Sequence, residues 1–223
     1  FFNKGLRFMQ LTYNNQTPLA GGCYEKNDSG VSRFGEQVIE EMNRLGMIVD
    51  LSHAGRQTCL DAINFSKKPV TISHANPNFF HQSIRNIDDE VLVKLANKNG
   101  FIGLSLYPYH LQNHGDCKLE DFCAMIKQLV NMIGEDSIGI GSDLCVNWPD
   151  SVVMWMRNGK WTKKIDYGES KDKNVNWPKP LSWYSKPEDL SSLLSAMISN
   201  GINEKIAHKI AGRNWLNFMA SHF

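Results

Sequence analysis

Between Met47 and Asn76 the sequence MIVDLSHAGRQTCLDAINFSKKPVTISHAN states one pattern twice: an apolar run, a short polar step and a histidine. The runs are Met47-Ile48-Val49 and Val70-Thr71-Ile72, and the histidines are His53 and His74. Short, β-branched runs bounded by turn residues suit strands buried on both faces. Gln57 to Ser66 is long enough for a helix between them, and Pro69 starts the second run. Strand, helix, strand with parallel strands brings both histidines to the carboxyl ends of neighbouring strands, where α/β sheets and barrels keep their chemistry. Two readings fit there. Converging neutral imidazoles make half of a zinc site, and strand-end histidines also serve simply to hydrogen-bond loop backbone.

The rest of the chain repeats the alternation. Gly5–Tyr13 predicts a strand. After a glycine-rich loop over Ala20–Gly30, Ser32 caps a helix whose Phe34, Val38, Ile39, Met42 and Leu45 share a face, with Gly46 as its stop. Asp88 opens a helix with Leu92, Leu95 and Ala96 inward; Phe101–Tyr107 predicts a buried strand; Leu119–Ile133 predicts a helix with Phe122, Cys123, Ile126, Val130 and Ile133 at helical spacing. Ser137–Ser142 is the last strand and delivers Asp143 at its end. Five strands, ending at Tyr13, His53, His74, Tyr107 and Asp143, predict a parallel sheet with helices outside. His110 and His114 are four apart, yet Pro108 and Gly115 argue for loop histidines without a metal.

Val146–Ser185 breaks the rhythm. It carries Trp148, Trp155, Trp161, Trp177 and Trp183, five of the 6 tryptophans, and predicts either a lid or rim over about residues 146–185 or a structural flap without ligand contact, with a short helix around Val152–Arg157. Beyond it Pro187 starts a helix with Leu190, Leu193, Leu194, Met197 and Ile198 inward. Asn203 caps another, and Gly212 precedes a terminal helix carrying Trp215 and Phe218.

Composition narrows the function classes. With 42% hydrophobic and 21% charged residues, 223 residues suffice for one domain spanning the whole chain. A net charge of +1 with scattered lysine and arginine offers no footprint for nucleic acid. No apolar run reaches the roughly 18 residues of a membrane span. The 5 cysteines (Cys23, Cys59, Cys117, Cys123, Cys145) form no CxxC pair, which favours a reducing, cytoplasmic setting, although a secretion signal upstream of Phe1 would leave no trace in this sequence. The opening Phe1-Phe2-Asn3, without methionine, reads as part of a longer protein.

The stretches GLRFMQLTYNN, FGEQVIEEMNRLGMIVDLSHAG, KPVTISHAN with IRNIDDEVL, IGIGSD and GRNWLNF resemble, in order and spacing, the membrane (renal) dipeptidases, zinc metallopeptidases of the amidohydrolase superfamily. The resemblance runs from Gly5 to the C-terminus. It implies a (β/α)8 TIM-like barrel of the metal-dependent hydrolase type, of which only strands 4 to 8 are present, two zinc ions per complete chain, and a dipeptide as substrate. It leaves homodimer formation open. By the same resemblance His53 and His74 ligate zinc, Asp143 handles the proton of the attacking water, and Arg85 grips the substrate carboxylate, a task suited to its planar fork.

The chain departs from the family pattern in three places. Tyr13 stands where many members have histidine, which keeps a hydrogen-bond donor for an oxyanion but loses a charge; one such donor is worth about 10² to 10³ in rate. Cys145 replaces the second aspartate of a GSDFDG pattern, as a packed, inert thiol or a thiol ligand. The family's His-x-Asp pair and zinc-bridging glutamate are expected upstream of Phe1. Five strands alone leave two open sheet edges, so the free fragment is expected to be inactive and to aggregate. Two alternatives to a dipeptidase stand beside it: a non-catalytic barrel that binds a small ligand, and a superfamily hydrolase acting on another amide.

Overall fold

The computed structural model describes residues 1–149, 151–152 and 177–223. Its frame is a five-stranded parallel sheet in sequence order: β1 (Phe8–Gln10), β2 (Ile48–Asp50), β3 (Thr71–Ala75), β4 (Phe101–Leu104) and β5 (Ile138–Ile140). Helices α1 (Arg33–Leu45), α2 (Arg56–Phe65), α3 (Asp89–Asn97) and α4 (Leu119–Ile133) form the connections. After the tryptophan-rich stretch come α5 (Leu190–Ser199), α6 (Glu204–His208), a π-helical turn (Lys209–Arg213) and α7 (Asn214–Ala220). The expected short helix falls, apart from Val152, outside the described residues, as do Trp155 and Trp161.

Local chemistry starts the helices where the sequence places them. Ser32 Oγ accepts from the Gly35 amide at 3.0 Å, Asp88 Oδ1 from Val91 at 3.0 Å, and Asn203 Oδ1 from Lys205 at 3.0 Å. Each satisfies a backbone donor that the first helical turn leaves without a carbonyl. Two expected inward residues face out. In α1 the buried stripe is Gly35, Ile39 and Met42, so Phe34, one position off it, is 56% exposed. In α5 the stripe is Leu193 and Met197, and Ile198 lies just beyond it.

Alternation within the strands divides the sheet into two faces. Val49, Leu51, Ile72, Ile102, Leu104 and Ile138 join the large core under α1 to α4, all but fully buried. On the opposite, inner face, Phe8, Ile48 and Phe101 meet Trp215, Phe218 and Met219 from α7. Glycines make room for them: a Cβ on Gly103 or Gly139 would come within 2.9 Å of the Trp215 indole.

The regular ladders are shorter than the apolar runs, because the chain leaves them early to build the loops of the carboxyl end. Leu106 still donates to Ser142 O at 3.1 Å beyond the end of β4. One of the two edges expected to be open is covered. Ser137 O and Gly141 N bond to β4, so Ile138 and Ile140 turn their carbonyls outward. Those carbonyls accept from Asn214 Nδ2 (2.8 Å) and Trp215 Nε1 (2.8 Å). At this edge side chains occupy the place of a neighbouring strand's amides.

Candidate active site

The site forms where β2 and β3 end. β2 stops at Asp50, and the turn that follows carries Ser52 and His53, both buried, into the start of α2. In β3 the register against β4 shifts between Ile72 and Ala75. An irregularity of this kind re-aims side chains beside active sites, and here it lets the consecutive Ser73 and His74 bond to each other.

The two imidazoles face each other with Nε2 atoms 3.0 Å apart. What holds their far sides decides their chemistry. His53 Nδ1 lies 2.7 Å from Asn14 Oδ1, an acceptor, so the ring proton sits on Nδ1. His74 Nδ1 lies 2.8 Å from Ser73 Oγ, and that hydroxyl donates its own proton to Asp50 Oδ2 at 2.6 Å, leaving its oxygen to accept. Both Nε2 lone pairs therefore point into one small space, an arrangement that calls for a cation. Two nitrogens on one tetrahedral zinc, with bonds of 2.0–2.1 Å, stand about 3.3 Å apart. The pair fits such an ion.

Asp50 is the anchor beneath. Besides Ser73 Oγ, its carboxylate accepts from Ser52 Oγ (2.7 Å), the Ser52 amide (3.1 Å) and the Ser73 amide (2.9 Å). It thereby ties the end of β2 to the end of β3. Arg85, 3% exposed, reaches in from the loop after β3, donating from Nη1 to Ser52 O and from Nη2 to His53 Nε2 at 3.3 Å. Tyr13 stacks on His53 with ring centroids 3.9 Å apart.

Burial holds the His53 pKa well below the ordinary imidazole range, and the Arg85 charge adds to it. His74 is lowered by burial too, against the pull of Asp143. Both are thus neutral at pH 7, the form that ligates metal. Asp143 follows β5 with a left-handed backbone (φ 53°), which aspartate tolerates better than most residues. Burial raises its pKa, while His74 and Arg85 pull the other way. A carboxyl balanced like this suits proton exchange.

His53, His74 and Arg85 of the expected set thus meet in direct contact, Tyr13 lies on His53, and Asp143 stands within electrostatic reach. Among the described residues no cluster of three His, Cys, Asp or Glu side chains forms a ready metal cage. His110 is buried in a 3-10 turn against Ser105 Oγ (2.9 Å), in keeping with a structural role. Cys145 is exposed, which corrects the expectation of a packed thiol: the chain has already left the core for the rim. Asn14, Asp50, Ser52 and Ser73 were missed, although polar residues inside apolar strand ends were their signal.

The parallel sheet with its strand-end histidines places the chain in the TIM-like barrel class of α/β folds, with five strands of the barrel present. A model of the membrane dipeptidase family (peptidase family M19) matches residues 1–151, and the chain belongs to that family. An uncharacterized dipeptidase of Schizosaccharomyces pombe is 32% identical over 149 residues, 64% of this chain and 36% of that protein. An amidohydrolase from Pseudomonas aeruginosa superposes with a TM-score of 0.86 at 30% identity, covering 97% of this chain and 65% of that one. A metallo peptidase from Rhodobacter sphaeroides, liganded with a phosphinate mimic of the dipeptide L-Ala-D-Ala, gives a TM-score of 0.76 at 21% identity over 100% of this chain and 57% of that one, a likeness of fold. The chain spans about a third of the length of the curated relatives it matches.

Proposed function

We propose that this chain is the catalytic part of a zinc-dependent dipeptidase whose remaining metal ligands come from outside these 223 residues. The observation that carries the reading is the histidine pair: two Nε2 lone pairs 3.0 Å apart, each fixed by a bond to its Nδ1. Family membership supports it, as does the dipeptide mimic held by the Rhodobacter relative.

His53 and His74 would hold one zinc. Bound there, zinc supplies an acidified water and a polarised carbonyl. Asp143 takes a proton as the water oxygen adds to the scissile carbonyl carbon, and returns it to the amine nitrogen as the C–N bond breaks. Arg85 uses the guanidinium donors not bonded to Ser52 and His53 to hold the substrate's free carboxylate. The Tyr13 hydroxyl serves the developing oxyanion from its place on the His53 ring. Cysteine spacing supports a reducing, cytoplasmic compartment for it.

The test is made on the protein with its natural N-terminus: zinc per chain by atomic emission, then hydrolysis of L,L and L,D dipeptides. About two zinc ions and dipeptide turnover are expected. Folded, chelator-free protein without metal would replace this reading with a ligand-binding barrel, which Arg85 on the His53 lone pair also suits.

A further inference from the structure

Beside Asp143 the structure holds a cavity of about 200 Å³, walled by Tyr107 and Pro108 from the end of β4 and by Trp177, Leu181 and Tyr184 from the segment before α5. Asp143 is the one charged residue among its described lining residues. Whole small-molecule ligands occupy about 300–1,000 Å³, so this space suits a single side chain.

The wall is built, not draped. Trp177 Nε1 donates to Trp148 O at 3.1 Å, and Lys179 pairs with Asp116. Leu181 is 2% exposed in the main core. Trp183 Nε1 donates to Cys117 O at 2.8 Å, with its ring 5.3 Å from that of Phe122 on α4. The Tyr184 side chain bonds to Ser142, the residue before Asp143, and burial raises its pKa. A wall fixed at this many points loses little freedom when a ligand enters.

We propose that this cavity receives the side chain of the dipeptide's amino-terminal residue and selects a large apolar or aromatic one. The inference rests on the dipeptidase reading above. Its direction follows from the site's two ends. Arg85, assigned to the carboxylate, is bonded at the β2 end against Ser52 and His53, whereas Asp143 and the cavity lie at the β5 end. A substrate stretched from Arg85 past the histidines turns its other residue toward Tyr107, Trp177 and Tyr184. An apolar side chain there gains burial and ring contact, while an acidic one meets Asp143 with no cation among the described lining residues to compensate it.

The test uses the full-length metal-loaded enzyme and two dipeptide series. With alanine fixed at the carboxyl side, kcat/KM should rise from Gly-Ala to Leu-Ala and Phe-Ala by about tenfold or more, and fall for Asp-Ala. With alanine fixed at the amino side, the profile should be nearly flat. Trp177→Ala should reduce the Phe-Ala to Gly-Ala ratio severalfold and Trp177→Phe should restore it, each variant checked by thermal melting. A flat first series, a preference carried by the carboxyl-side residue, or a folded Trp177→Ala enzyme with the ratio intact would overturn the subsite and leave the dipeptidase standing. Hydrolysis of neither series would overturn both.

Discussion

The two faces of the sheet are made by opposite rules. The outer face is continuous hydrocarbon, with Val49, Leu51, Ile72, Ile102, Leu104 and Ile138 under four amphipathic helices. The inner face mixes glycine, aromatic rings and a hydrogen-bonded carboxylate, and Asp50, Ser73 and the histidines lie at its upper end. Outside, almost any well-packed apolar set of equal volume would serve. Inside, each group is fixed by a named partner, and replacing one changes what another can do.

That contrast can be broken most forcefully on the outer face. Ile102→Ala should cost about 2–5 kcal/mol of unfolding free energy in denaturant titrations, since its side chain is fully buried. On the inner face Gly139→Ala, whose Cβ would lie 2.5 Å from the Phe101 ring, should cost about 1–3 kcal/mol through overpacking. If Gly139→Ala proved the costlier of the two, the ranking of the faces would be reversed. Asp50→Asn should leave much of the fold intact and weaken metal binding about 10- to 100-fold in competition with a chelator dye, because Ser73 and His74 lose their anchor.

A milder probe is pH. His53 and His74 have folded pKa values below the unfolded 6.5, so below that value the unfolded chain binds more protons. Metal-stripped protein should keep its full stability above about pH 6.5 and lose it as pH falls, and His53→Gln should flatten that slope. The smallest effect belongs to Cys145. Exposed at the rim, it should react with a thiol reagent before Cys117 and Cys123, whose pKa values burial pushes up to about 12 and about 11.

Much of the outer face was legible in the sequence because periodicity reports burial. The helix starts at Ser32 and Asp88, the strands ahead of His53 and His74 and the last strand before Asp143 all follow from it. Periodicity also misleads by one position, as Phe34 and Ile198 show, because the stripe is set by what each helix packs against. The inner face was legible only at its histidines. Asp50 reads as an ordinary strand-end aspartate until Ser73 is brought beside it from 23 residues away. The clasp of Asn214 and Trp215 on β5 spans still more sequence, and no local pattern encodes it.

That clasp has a consequence for how the protein is made. Trp215 follows Ile140 by 75 residues, and at roughly 5–20 residues per second a ribosome needs about 4 to 15 seconds to add them. During that interval β5 can be laid against β4 while its outward carbonyls have no indole or amide to bond. A nascent chain in that state holds β5 without the Asn214 and Trp215 bonds that fasten its edge. Chains that stall before Trp215 should be recovered with chaperones or in aggregates far more often than chains that pass it.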